Sequence, residues 1–258
     1  MTKTEIEVPP MSASSLKTFE GCPGQFEFGT IKGVEGTDTE NKYTIVGSMI
    51  HDAIEEVIRN TDDAGELGEN ELAHLMKSNF HANPEKEKID QKMVNRGMKA
   101  LQVAARFVSD FGDIEFTSTE ERFETYINGV HFRGYMDATT RHEVWDWKSG
   151  NMPDDDDRLG EILQGMVYWE GFREMFDRPP ERIRFIYLKE GKERVYDEKG
   201  NAYQEMMDMI EKVRRAIKEN SFEYKPGSHC TWCPHELRCP ASKVGIGGQS
   251  WEKFNGYY

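Results

Sequence analysis

Between residues 119 and 148 the side chains leave helical spacing and alternate as strand residues do, and this run limits the possible folds more than any other stretch. Residues 119–127 and 130–137 read as β-like runs divided by Asn128-Gly129. That pair is the strongest short signal for a two-residue hairpin turn, because both positions must tolerate φ > 0. A short turn at Thr139 to His142 leads into a third strand, Glu143 to Lys148. A meander of three strands therefore sits in mid-chain, with helical patterns on both sides.

Ahead of the meander, residues 1–11 read as a tail. Ser12 to Phe19 reads as a capped helical turn that stops near Gly21, Cys22 and Pro23. From Gly47 to Asn60, Ile50, Ala53, Ile54, Val57 and Ile58 recur at helical spacing and predict a one-faced helix. A polar helix is expected near 69–80. A long one is expected over 88–111, with Met98, Leu101, Ala105 and Val108 on its core face. After the meander an acidic loop, Asp154 to Asp157, precedes a helix from Leu159 to Phe176. Arg182 to Lys189 reads as a strand, 202–219 as a helix, and the last forty residues as irregular. Helices flanking a mostly antiparallel, mixed sheet make an α/β (α+β) fold. The domain reading is a main domain over 12–220, a cysteine-bearing segment at 221–245 joined to Cys22, and a tail at 246–258.

Composition narrows the function. The net charge of -14 argues against a simple nucleic-acid binder, since phosphate contacts come mostly from Lys and Arg. An enzyme acting on nucleic acid would need a short, local basic track. No apolar run approaches the ~20 residues needed to span a bilayer. The opening MTKTEIEVPP has no apolar core, so a reducing cytoplasm is the expected setting. Four cysteines there are expected to bind metal rather than pair as disulfides.

The chemistry-bearing pattern is E-V-W-D-W-K at Glu143 to Lys148. Side chains alternate along a strand, so Val144, Asp146 and Lys148 share one face while Trp145 and Trp147 share the other. Asp137, nine residues earlier, ends the preceding run and can lie beside Asp146 across the turn. Two carboxylates at one point repel unless a cation lies between them, and oxygen ligands suit Mg²⁺ or Mn²⁺. Such an ion can polarise a phosphodiester and acidify a water, while a neighbouring lysine neutralises charge building on the phosphate. His51 lies in the one-faced helix, one turn before Glu55. Gln164 and Tyr168, four apart, project from one face of the helix after the strand.

Five segments in order resemble the RecB-like branch of the PD-(D/E)XK nuclease superfamily. They are S-S-L-K-T-F-E-G-C-P (Ser14–Pro23), G-S-M-I-H (Gly47–His51), G-Y-M-D (Gly134–Asp137), D-W-K-S-G (Asp146–Gly150) and Q-G-M-V-Y (Gln164–Tyr168). The resemblance implies a restriction-endonuclease-like sheet. It implies metal ligation by His51, Asp137, Asp146 and the backbone carbonyl of Trp147. It makes Lys148 the catalytic lysine, with Gln164 and Tyr168 supporting the site or positioning DNA. The family often carries a further acid on the preceding strand; Glu120, Glu121 and Glu124 compete for it, with Glu120 favoured.

Cys230-x-x-Cys233-x5-Cys239 lies near the C-terminus, while Cys22 stands some two hundred residues earlier. Four thiolates can hold zinc or an iron–sulfur cluster, and spacing alone does not choose. The one-plus-three arrangement resembles the CRISPR-associated exonuclease and helicase–nuclease subunits of the same branch, which implies [4Fe–4S]. Its role would be a clasp joining both chain ends. Trp232 is expected to pack against the cluster, and Arg238 to lie near DNA.

The expected function is a Mg²⁺- or Mn²⁺-dependent DNA exonuclease acting on single-stranded ends in recombination or repair. The short chain fits a phage-encoded enzyme working in the host cytoplasm. The alternative is a weakly active nuclease-fold subunit of a recombination or CRISPR-adaptation-like assembly, with a helicase or recombination protein as partner. A redox metalloprotein fits less well, because the C-x-x-C is not set near a βαβ unit.

Overall fold

The computed structural model describes residues 8–37, 41–61, 64–112, 114–197 and 200–241. The tail read at 246–258 lies outside these, as do residues 1–7 of the other tail. Two compact units make up the chain. One holds the described residues of Met1–Thr39, Tyr126–Phe132 and Asn201–Tyr258, the other those of Glu40–Thr125 and Arg133–Gly200.

The larger unit is built on four helices and most of a sheet. Helix α3 (Lys42–Asn60) begins where the Asn41 side chain accepts hydrogen bonds from the N–H groups of Tyr43 and Thr44. This satisfies donors that the first turn leaves free. α4 (Glu69–Ala82) and α5 (Gln91–Asp110) pack against α3, and Asp90 caps α5 by accepting from Met93 N at 2.9 Å. Gly97 lets α5 approach α4, since a Cβ there would meet the Phe80 ring at 2.4 Å. The core face of α5 is Met93, Val94, Ala100, Leu101, Ala104, Ala105 and Val108; Met98, expected on that face, is only half-buried.

The sheet order is β1-β2-β3-β4-β5, from Phe116–Ile127, Val130–Thr140, Glu143–Lys148, Arg182–Tyr187 and Lys192–Tyr196. β2 and β3 pair antiparallel with Ala138 opposite Trp145, and β4 and β5 pair antiparallel. β3 and β4 are parallel, Val144 opposite Ile183, which requires a crossover; α6 (Leu159–Phe176) supplies it. Trp145 and Trp147 bury themselves among α3, α4 and α5. α6 is apolar nearly all round, as a fully covered helix is. The Phe123 ring packs where β-carbons at Gly134 and Gly171 would stand. β5 has no apolar alternation to betray it in the sequence, being the charged edge strand K-E-R-V-Y, and edges of that kind resist unwanted pairing.

In the smaller unit, α1 (Ala13–Gly21) starts at a capping box between Ser12 and Ser15 and ends at Cys22. α2 (Pro23–Phe26) follows, and Gly24 leaves room for the Tyr224 ring. Met11, expected in a tail, is buried and bridges Phe132. α7 (Ala202–Glu219) buries Met206, Met209, Ile210 and Val213. Among the described residues, no helix is long and apolar enough to cross a membrane.

Candidate active site

The β2–β3 register pairs 138 with 145 and 139 with 144, so one further step brings Asp137 to Asp146. Asp137 is not the last residue of its strand, because β2 continues to Thr140. The meeting survives this difference, since antiparallel pairing, rather than strand ends, sets it. Asp137 Oδ2 accepts the Trp147 N–H at 2.8 Å and lies 3.4 Å from His51 Nδ1. The Trp147 side chain belongs to the helix-facing core, which leaves only its backbone near the carboxylates.

Asp146 is 2% exposed. Its Oδ1 accepts from Gln164 Nε2 at 2.9 Å and from the Tyr168 hydroxyl at 2.8 Å. Its Oδ2 faces Lys148 Nζ at 2.7 Å, yet among the described residues it accepts no hydrogen bond. Lys148 Nζ donates to Gln164 Oε1 at 2.6 Å and lies 5.2 Å above the Phe185 ring. Phe185, opposite Asp146 on β4, is a site residue that no motif in the sequence announces.

Among the described residues, His51, Glu120 and Asp137 form the one group whose imidazole and carboxylate atoms come within 4.8 Å of one another. Glu124 instead ion-pairs with Arg122, and Glu121 is outside the group. Glu120 has φ of +48°, a left-handed backbone inside a strand. Irregularity of this kind re-aims a side chain and costs of order 1–3 kcal/mol, and it breaks the alternation by which a sequence could rank the three acids.

The electrostatics suit a cation. Burial, then the charge of Asp146, pushes the Asp137 carboxyl well above the usual range, against the opposing pull of the Trp147 N–H and Lys148. Burial also raises Glu120, with Asp52 and Asp146 adding to it and His51 opposing. Burial and the two aspartates raise the Tyr168 phenol, which stays a neutral donor to Asp146. Two adjoining carboxylates, Glu120 and Asp137, and the His51 imidazole fit a hard divalent ion.

The sequence profile of the PD-(D/E)XK nuclease superfamily matches residues 10–240. The chain belongs to this superfamily. No curated protein sequence matches it. A crystal structure named "Putative exonuclease" from Eubacterium rectale shares its fold at a TM-score of 0.55, with 17% identity over 94% of this chain and 96% of that one. A structure named SSO0001 aligns at a TM-score of 0.38, with 14% identity over 77% of this chain and 97% of that one.

In the smaller unit of this PD-(D/E)XK nuclease, all four cysteines line one cavity, beside Phe28, Tyr224 and His235. Cys22 is placed there by the junction of α1 and α2, where its N–H donates to Thr18 O at 2.8 Å. The other three lie on turns of 3-10 helix at Ser228–Trp232 and Glu236–Arg238 and in the links after them. Burial pushes the Cys233 thiol up, and Cys22, Cys230 and Cys239 add to this. Among the described residues, no three of these sulfurs lie within 4.8 Å of one another. Trp232, expected against a cluster, is 68% exposed and does not line the cavity, although Cys230 on the same turn does. Arg238 donates to Glu35 O at 2.8 Å.

Proposed function

We propose that this chain is a Mg²⁺- or Mn²⁺-dependent DNA exonuclease of the RecB-like branch, acting on single-stranded ends in recombination or repair. The observation that carries the reading is Asp137 one step past the Ala138–Trp145 pair of β2 and β3, where it feels the charge of Asp146, with the Lys148 ammonium 2.7 Å from Asp146. His51, Asp137 and Asp146 would hold the ion, with Glu120 and the Trp147 carbonyl as further ligands. When bound, the ion polarises a phosphodiester and acidifies water. Lys148 neutralises negative charge that develops on the phosphate. Gln164 holds Lys148 and Asp146 together, and the Tyr168 hydroxyl fixes Asp146 Oδ1 so that Oδ2 is left for the site.

The four cysteines would carry a [4Fe–4S] cluster. Around a single zinc at Zn–S of ~2.3 Å, tetrahedral thiolates stand roughly 3.8 Å apart. Among the described residues no three of the sulfurs stand within 4.8 Å of one another around the cavity, which suits the larger group. The test of function compares linear with circular single-stranded DNA in Mn²⁺. Nucleotides or short oligomers should be released from the linear strand alone. Equal cutting of circles would make the enzyme an endonuclease, and no Mn²⁺-dependent cleavage of either would remove the assignment.

A further inference from the structure

Within the unit that holds the carboxylates runs a groove of about 980 Å³ between α3, α5 and the chain that follows β3 and β4. Four of its lining side chains are cationic, Lys92, Arg96, Lys99 and Lys189, and none is acidic. In a chain with 47 acids and 33 lysines and arginines, a wall of that kind is no average surface. Lys92, Arg96 and Lys99 fall at i, i+4 and i+7 on α5, one face of the helix over roughly 10 Å. The acids just ahead of them in sequence, Glu85 and Asp90, are paired with Lys88 and Lys42 instead.

Tyr43 lines the groove, 52% exposed, with the Arg96 guanidinium 5.6 Å from its ring centre. Arg96 also donates to Ser149 O at 2.7 Å, one residue past Lys148. Ile50, which precedes His51, lines the same wall, so the groove is built on the helix that carries His51 and the loop that follows Lys148. Gly47 lets α3 close on that loop, since a Cβ there would stand 3.1 Å from Ser149 Oγ.

We infer that this groove seats a single nucleic-acid strand, with Lys92, Arg96, Lys99 and Lys189 on its phosphates and one unpaired base on Tyr43. The inference rests on the nuclease reading for its purpose but on the groove alone for its chemistry. A positive channel with an exposed aromatic platform binds single strands, because stacking is open only to unpaired bases. This also explains how an acidic chain can hold a polyanion: the contact is local.

The test is fluorescence anisotropy of a labelled 20-nucleotide DNA strand with the full chain in EDTA, where cleavage is silent. Lys92→Glu/Lys99→Glu should weaken binding at least about tenfold. It should also flatten the dependence of log affinity on log salt by roughly 1.4, at about 0.7 per phosphate contact in a single strand. The milder Lys92→Gln/Lys99→Gln pair should move both in the same direction, which guards against a misfolded charge reversal. Tyr43→Ala should cost about tenfold on the strand and little on a blunt duplex. An RNA strand bound as tightly as DNA would place recognition in phosphate and base stacking, as inferred. Unchanged affinity and salt slope in both lysine pairs, or tighter binding of duplex than of strand, would overturn the groove. A wild-type chain that binds in this way but never cleaves would sink the nuclease reading and leave the groove standing.

Discussion

Gln164 accepts from the Lys148 ammonium at 2.6 Å and donates from its amide nitrogen to Asp146 at 2.9 Å, so one side chain spans both ends of the D-W-K pair. Lys148 and Asp146 are two residues apart on one strand face, and Gln164 braces from α6 the ion pair that they form at 2.7 Å. Gln164→Ala should therefore lower kcat by about 10- to 100-fold with little change in KM, since small errors in placement are costly at a reacting centre. Single-turnover cleavage separates this from a binding defect. An equal rise in KM would mean that Gln164 contacts the strand instead.

Tyr168 donates its hydroxyl to a carboxylate that is almost wholly buried. Tyr168→Phe leaves the ring packing against Phe123 and Phe185 and removes only the hydroxyl, which donates to Asp146 and accepts from Gln164 Nε2. The expected cost is about 1–3 kcal/mol, the range for a buried acceptor losing a partner. Denaturant unfolding measures it, and a variant as stable as the parent would show that Gln164 alone suffices.

Asp137 has a carboxyl raised in the fold by burial and by Asp146. Its contribution to stability is full below the ordinary carboxylate range and is lost as pH rises through the raised folded value. In chelator, the parent should thus lose stability between mildly acidic and neutral pH, and Asp137→Asn should lose less. At neutral pH the variant should unfold at a higher temperature than the parent. A gain of order 1 kcal/mol is worth roughly 2–4 °C in a chain of this size. Mn²⁺ should raise the midpoint of the parent and leave Asp137→Asn nearly unmoved. Parallel pH profiles for the two proteins would contradict the raised carboxyl.

Anaerobically purified protein should be brown, with a broad absorbance near about 400 nm from thiolate-to-iron charge transfer. Cys22→Ser should bleach it and lower the unfolding midpoint, since the residue lies at the joint of α1 and α2 and also lines the cavity. A colourless protein with one bound zinc would replace the cluster.

Much of the fold was legible because the patterns were local. The helices expected at Leu159 to Phe176 and 202–219 are the spans that α6 and α7 take, and Asn128-Gly129 marks the hairpin, where Asn128 and Gly129 both take positive φ. The edge strand β5 escaped notice because its exposed, charged side chains carry no alternation. The placement of the candidate residues was legible where it follows from strand register, as with Asp137, Asp146 and Lys148. It was not legible where it depends on an irregular backbone, as at Glu120, or on a neighbour brought in by parallel pairing, as with Phe185. The groove was hidden differently. Its lysines look like an ordinary solvated helix face until α3 and the Ser149 loop close the opposite wall.

Mn²⁺ binding to the intact protein, followed by calorimetry beside cleavage of the same samples, separates ligands from the lysine. The wild type should bind Mn²⁺, Asp137→Asn and Asp146→Asn should each weaken that binding at least about tenfold, and Lys148→Ala should keep it while losing at least about 100-fold in cleavage. Undiminished Mn²⁺ affinity in both aspartate variants, or full cleavage by Lys148→Ala, would mean that these three side chains do not form a hydrolytic centre.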